Sequence, residues 1–281
     1  MSKSVILIPL GFLLILVTQA TSCSPSDLTA LQSFKSSLNE PKLGIFQTWT
    51  GTNCSTWYGI SCDPATNRVV DINLRGESED PIFSKSGRYS SGYMSGSIDP
   101  SICQLDQLTS LILADWKGIT GPIPECITSL TSLRVVDLIG NQITGHIPSD
   151  IGSLRQLTVL NLADNQISGE VPESLTKLTG LKHLDLRNNM ISGALPAGFG
   201  SLKMLSRALL ARNRLSGSIP GSIKNMYRLA DLDLALNQIS GSLPDWLGQM
   251  RVLSTVNLDS NQISGGIPSG LLGSSGLGIL N

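Results

Sequence analysis

The only imidazoles in the chain are His146 and His183, so proton-transfer catalysis by histidine would have to run through one of them. A serine-nucleophile site would need His183 with Asp185 or Asp164 and a serine that no motif marks. No paired-histidine metalloprotease motif, no paired-cysteine ligand motif and no phosphate-binding glycine loop occurs. No catalytic residue, cofactor or resident metal is therefore expected. Recognition is the chemistry that remains. Written out at the interval of 24 residues that recurs through most of the chain, the variable residues fall into columns. One runs through Val159, His183, Arg207 and Asp231; the next through Asp137, Asn161, Asp185, Leu209 and Asp233. A third holds Ala163, Arg187 and Ala211, and a fourth Asp164, Asn188, Arg212 and Leu236. The candidate binding set is thus His183, Asp185, Arg187, Asn188, Arg207, Leu209, Arg212, Asp231, Asp233 and Leu236. Arginine and apolar anchors among carboxylates suit a protein or an anionic polymer as partner. An ordinary solvated sheet face is the competing reading.

These columns exist because the chain repeats itself. "NQITGHIP" at Asn141–Pro148 returns as "NQISGEVP", "NMISGALP", "NRLSGSIP", "NQISGSLP" and "NQISGGIP", each 24 residues after the last. Each phrase follows an "LxxLxL" run such as "LKHLDL" (Leu181–Leu186), whose second half alternates apolar and variable residues as a half-buried strand does. A strand so short cannot bury its apolar face alone. Stacked on copies of itself it gives a parallel sheet with a continuous core, the logic of a solenoid. At the inward bend after the strand, backbone amides and carbonyls enter a dry interior. An asparagine side chain donates and accepts, so Asn141, Asn165, Asn189, Asn213, Asn237 and Asn261 are expected to form a ladder. Trp116 takes the turn position in the unit that begins at Leu108. The glycine of each phrase permits a tight path, and the proline starts a short outer helix.

The balance of 15% charged and 41% hydrophobic residues with a net charge of −1 shows no basic excess of the kind nucleic-acid binding needs. Residues 1–22 read as a secretory signal peptide, with Lys3, an apolar run shorter than a membrane span, and small residues near Ala20. The mature chain is expected to be exported, with no membrane span. Export places Cys23, Cys54, Cys62, Cys103 and Cys126 in an oxidising compartment, and the odd count leaves one without an intramolecular partner. Asn53 in "NCS" is the expected glycosylation site.

The repeated phrase resembles the plant-type leucine-rich repeat. "DLTALQSFKSSL" (Asp27–Leu38) reads as an amphipathic helix, and "WYGISC" (Trp57–Cys62) looks like the cap of secreted plant proteins of that kind. "LADWKGITGPIPECITSL" and its neighbours are similar to the small group labelled DNA-damage-repair/toleration-like proteins, with polygalacturonase inhibitors more distant. The resemblance implies an α/β repeat fold, a right-handed solenoid with a concave parallel sheet and short convex helices. It divides the chain into an N-terminal cap at 23–67 and about eight repeat units at 68–281, the first carrying an insertion at 75–95. The relatives' cap has a cysteine doublet where this chain has only Cys54. A Cys54–Cys62 bridge leaving Cys23 free is the favoured pairing, with Cys23–Cys54 as its rival. Cys103 and Cys126 fall on the outer side of adjacent units, where a bridge can form. The last unit stops within its strand without a terminal cap, which reads as a truncated product or an incomplete gene model.

The expectation is thus a secreted, non-catalytic recognition protein of the extracellular matrix and cell wall, acting in defence or stress. Its ligand would be a protein (a cell-wall enzyme, a receptor or a peptide) or an anionic cell-wall polysaccharide, bound on the concave face, with no nucleic acid involved. The alternative is the truncated ectodomain of a receptor-like protein or kinase.

Overall fold

The computed structural model describes residues 22–76, 92–272 and 278–281. All but the last residue of the expected signal peptide, and most of the expected insertion, lie outside those residues.

Alternation of apolar and variable residues does produce the strands. Val135–Asp137, Val159–Asn161, His183–Asp185, Arg207–Leu209, Asp231–Asp233 and Thr255–Asn257 pair in parallel, each in register with its neighbour one repeat on. They are the middle of a ten-stranded sheet that runs from Ile279–Leu280 back to Val69–Arg75 and ends on Ile60–Cys62, the one antiparallel member. A second tier of short parallel strands lies past the turn in each unit, among them Ser168–Glu170, Met190–Ala194 and Arg214–Gly217. The outer segments are 3-10 helices of three to five residues, such as Glu173–Lys177 and Asp245–Gln249, except the last, a four-residue α-helix at Ser269–Leu272. In Glu125–Ser129, Glu173–Lys177, Gly221–Asn225 and Asp245–Gln249 the proline stands at the N-cap, and its carbonyl accepts the first helical bond, as in Leu175 N to Pro172 O. At Gly200 a Cβ would stand 1.9 Å from the Ser222 carbonyl oxygen of the next unit, so the outer turns pack backbone on backbone.

The interior is one apolar column, mainly leucine and isoleucine, from the cap to Leu271. The asparagine ladder threads it. Asn165 Nδ2 lies 2.9 Å from Leu138 O in the unit before, 3.1 Å from Leu162 O and 3.0 Å from Ala163 O, while its Oδ1 accepts from Ile143 N at 2.9 Å. Asn189, Asn213, Asn237 and Asn261 repeat this pattern. Trp116 opens the ladder, its indole N–H donating to Leu74 O at 3.0 Å. Asn141, next in line, donates normally, but among the described residues its Oδ1 has no partner. The strand Lys117–Pro122 of the preceding unit pairs with Met94–Ser97 through its first four residues and with Gln142–Thr144 through its last three.

The cap is locked by one buried carboxylate. Helix Pro25–Ser36 places Asp27 fully inside, where it accepts from the Arg68 guanidinium and from Val69 N at 2.8 Å. Trp49 and Trp57 stack at 5.2 Å beneath it. The favoured cysteine pairing is corrected here: the bridge is Cys23–Cys54, and Cys62 is the free thiol. Cys23 N donates to Thr52 O, which sets its side chain beside Cys54; Cys62 is held on its strand with its Sγ 4.0 Å from that of Cys23. Cys103 and Cys126 are bridged.

Candidate functional site

The strand face presents the columns read from the sequence, in the expected order. His183 stands between Val159 and Arg207, and Leu209 between Asp185 and Asp233. After each strand the chain turns through a left-handed residue. Asp115, Asp164, Asn188, Arg212, Leu236 and Ser260 all have φ between 53° and 61°, and Gly140 has 71°. Aspartate, asparagine and glycine tolerate that conformation; arginine and leucine ordinarily avoid it. Arg212 and Leu236 are therefore held by the fold in a strained geometry and project from the surface, Leu236 at 39% exposure.

Charge on this face is largely matched within it. Arg187 forms a two-pronged contact with Asp185, its Nη2 2.6 Å from Oδ2, and a carboxylate so close holds the guanidinium pKa above its usual value despite partial burial. Arg207 pairs with Asp231 at 3.2 Å, and Arg75 with Asp137 at 3.0 Å. Asn188 donates to Asp164. Asp233 Oδ1 accepts from Ala235 N. Burial pushes the His183 imidazole below its ordinary pKa; Asp185 acts against that shift, and Arg207 and Arg187 add to it. His146 is exposed past the turn of a different unit from His183, with its ring at Ser168 O. Among the described residues, no group of three histidine, cysteine or acidic side chains could hold a metal ion.

The face thus gathers the predicted residues but sorts them. Asp185 and Leu209 are buried, at 3% and 5% exposure, and Leu209 is corrected from an exposed anchor to a packed one, enclosed between the strands of Asp185 and Asp233. Arg187 and Arg207 are tied to carboxylates. Among the described residues the Arg212 guanidinium has no hydrogen-bond or ion-pair partner, and it and Leu236 are the side chains most available to another molecule. Asn53 caps a 3-10 turn at Cys54–Thr56 and is half-buried, its Oδ1 accepting from Ser55 Oγ at 2.6 Å. Missed in the sequence were Arg75, which lies before the first full phrase, and the exposed Tyr227 and Val252 at the unit junctions, positions whose residue type changes from unit to unit.

Three family models match: a "leucine rich repeat N-terminal domain" over residues 24–63, a "leucine-rich repeat region" over 125–262 and a "leucine rich repeat" over 252–274. The chain is similar to a DNA damage-repair/toleration protein of Arabidopsis thaliana, 69% identical over 43% of this chain and 32% of that one. It is also similar to the polygalacturonase inhibitor of Vitis vinifera, 32% identical over 41% of this chain and 30% of the relative. Among solved structures it resembles the Arabidopsis receptor kinase HAESA in complex with the peptide hormone IDA and the co-receptor SERK1, with 29% identity and a TM-score of 0.67 over 90% of this chain and 45% of that one. The chain spans about a third of the length of these curated relatives.

Proposed function

We propose, for a chain that is a plant leucine-rich-repeat protein related to the polygalacturonase inhibitors, a role as an extracellular, non-catalytic recognition protein that binds a cell-wall protein on its strand-lined face. The observation that carries this reading is the pair Arg212 and Leu236. Both are exposed, both stand in a backbone conformation costly for their residue type, and among the described residues Arg212 has no hydrogen-bond or ion-pair partner. Strain kept at exposed positions points to function more than to folding. A protein partner is the kind the inhibitor relatives suggest by name, and a role in defence is part of the same proposal. Glycosylation at Asn53 and residence in the wall belong to the same reading. The test is a titration of a secreted polygalacturonase with the purified protein, following residual enzyme activity. Inhibition that is lost in the Arg212→Glu, Leu236→Asp double variant supports the reading. Inhibition unchanged by that variant rules this face out.

A second reading, favoured by the likeness to a peptide-hormone receptor over 90% of this chain, makes the same face a peptide site in a receptor-like ectodomain. Binding of an extended peptide with no effect on the enzyme would select it.

A further inference from the structure

We propose that the flank of the solenoid, where each outer segment leads into the next strand, is a second docking surface, and that its partner is an acidic protein segment bearing an apolar anchor side chain. Tyr227 and Val252 are 60% and 51% exposed there. They are shared by two adjoining depressions. One, of about 290 Å³, lies against Lys182, Met204 and Arg228; the other, of about 320 Å³, lies against Lys224, Met250 and Arg251. Residues 200–206, 224–230 and 248–254 contain Lys203, Lys224, Arg228 and Arg251 and no carboxylate. The strand edge beside them is a backbone ladder, Lys182 N to Thr158 O, Ser206 N to Lys182 O and Ala230 N to Ser206 O, so these segments stack one above the other at the strand spacing of about 4.8 Å. Among the described residues, none of Lys182, Lys203, Lys224, Arg228 and Arg251 has an ion-pair partner.

The contrast with the strand face decides the chemistry. There Arg75, Arg187 and Arg207 are each paired with a carboxylate of the same sheet; on the flank, among the described residues, the cations have no ion-pair partner, in a chain whose net charge is −1. Charge of one sign on one edge steers an oppositely charged partner. Charge alone would serve any polyanion. Tyrosine, methionine and arginine at the centre of the patch, with depressions on both sides of Tyr227, are instead the composition of a protein interface core, and a polyanion has nothing apolar to place in them.

The experiment is a selection of random 12-residue peptides displayed on phage against the full chain, followed by affinity measurement of the enriched peptides by fluorescence anisotropy. Enriched sequences should carry a carboxylate excess around an aromatic or aliphatic residue. Their affinity should fall at least tenfold for Lys203→Glu with Arg228→Glu and again for Tyr227→Ala with Val252→Ala, each variant keeping the parent melting temperature. Arg212→Glu with Leu236→Asp should leave it unchanged, which separates this surface from the strand face. The proposal is overturned by a selection that enriches nothing, by peptides without acidic excess, or by binding that follows Arg212 and Leu236. It is equally overturned if polygalacturonate competes fully while the Tyr227 and Val252 variant binds as the parent does, for then the flank is a simple polyanion surface.

Discussion

Replacing Asn189 by alanine removes an amide whose every polar atom is engaged. Its Nδ2 reaches Leu162 O at 2.9 Å, Leu186 O at 3.1 Å and Arg187 O at 3.1 Å, and its Oδ1 takes the Ile167 N–H at 2.9 Å. The carbonyls do not become orphans, because Leu162 O also receives Asn165 Nδ2, Leu186 O receives Asn213 Nδ2 and Arg187 O receives Asp164 N. The Ile167 N–H does. The two amide hydrogens and one acceptor make three bonds, at about 1 kcal/mol each, and leaving one amide buried without a partner puts the cost at about 3–4 kcal/mol. Asn189→Asp is the discriminating control. It keeps an oxygen for Ile167 N but turns a carboxylate toward three carbonyl oxygens at a residue only 9% exposed, so it should cost at least as much as alanine. Solenoids need not unfold in two states, so the assay is hydrogen exchange read on the segment 162–170 together with the melting temperature. Local opening free energy lower by about 3 kcal/mol speeds exchange there by roughly two orders of magnitude. If Asn189 were only a turn former, aspartate would serve as well. A near-neutral Asn189→Asp, or an alanine variant whose segment exchanges at the parent rate, refutes the interior-ladder argument.

Leu236→Asn should raise the unfolding free energy by about 1 kcal/mol, and the denaturation midpoint with it, since asparagine accepts the left-handed conformation that leucine pays for, while weakening partner binding; a lower midpoint contradicts the strain reading. His183 has its pKa lowered by burial, so the unfolded chain binds the proton more readily and stability falls as pH drops below about 6.5. His183→Gln should flatten that acid-side loss, and an unchanged pH profile of the melting temperature counts against it. Non-reducing peptide mapping should recover Cys23 joined to Cys54 and Cys103 joined to Cys126, with Cys62 alkylated. Burial and the nearby Asp27 hold that thiol above its usual pKa, so native-state alkylation at pH 8 should be slow and unfolding should accelerate it.

The strands and the ladder were legible because each rests on a periodic demand. Leu184 and Leu186 must point inward in every copy, and an amide is the side chain that can both donate and accept at the bend, so residue type and spacing speak together. Trp116 was legible as an occupant of that bend, and the reason, an indole N–H aimed at Leu74 O, follows from the same demand. The cysteine pairing was not legible. Cys54 and Cys62 are close in sequence, but the partner is chosen by the backbone bond from Cys23 N to Thr52 O, a contact across the cap that no spacing reveals. Nor was the burial of Leu209, whose column alternates with carboxylates. The left-handed position hides in the same way: Asp164 and Asn188 advertise it, while Arg212 and Leu236 conceal it unless the column is read as a whole.

The distribution of paired and unpaired charge makes ionic strength a way to tell the two faces apart. On the strand face Arg187 and Arg207 enter any complex already bound to Asp185 and Asp231, so a partner must either displace those contacts or use the few groups left over, Arg212 and Leu236. Binding there depends on shape and on one or two side chains, and screening changes it little. On the flank, Lys203, Lys224, Arg228 and Arg251 meet the partner with their charge unspent. With a screening length of about 10 Å at 0.1 M salt, the field of cations carried by units stacked about 4.8 Å apart is summed over several repeats at low salt and cut to its nearest members at high salt. Association on the flank should therefore slow steeply between 50 mM and 500 mM salt while association on the strand face does not, and a common salt dependence for both would mean that the two faces are one electrostatic surface.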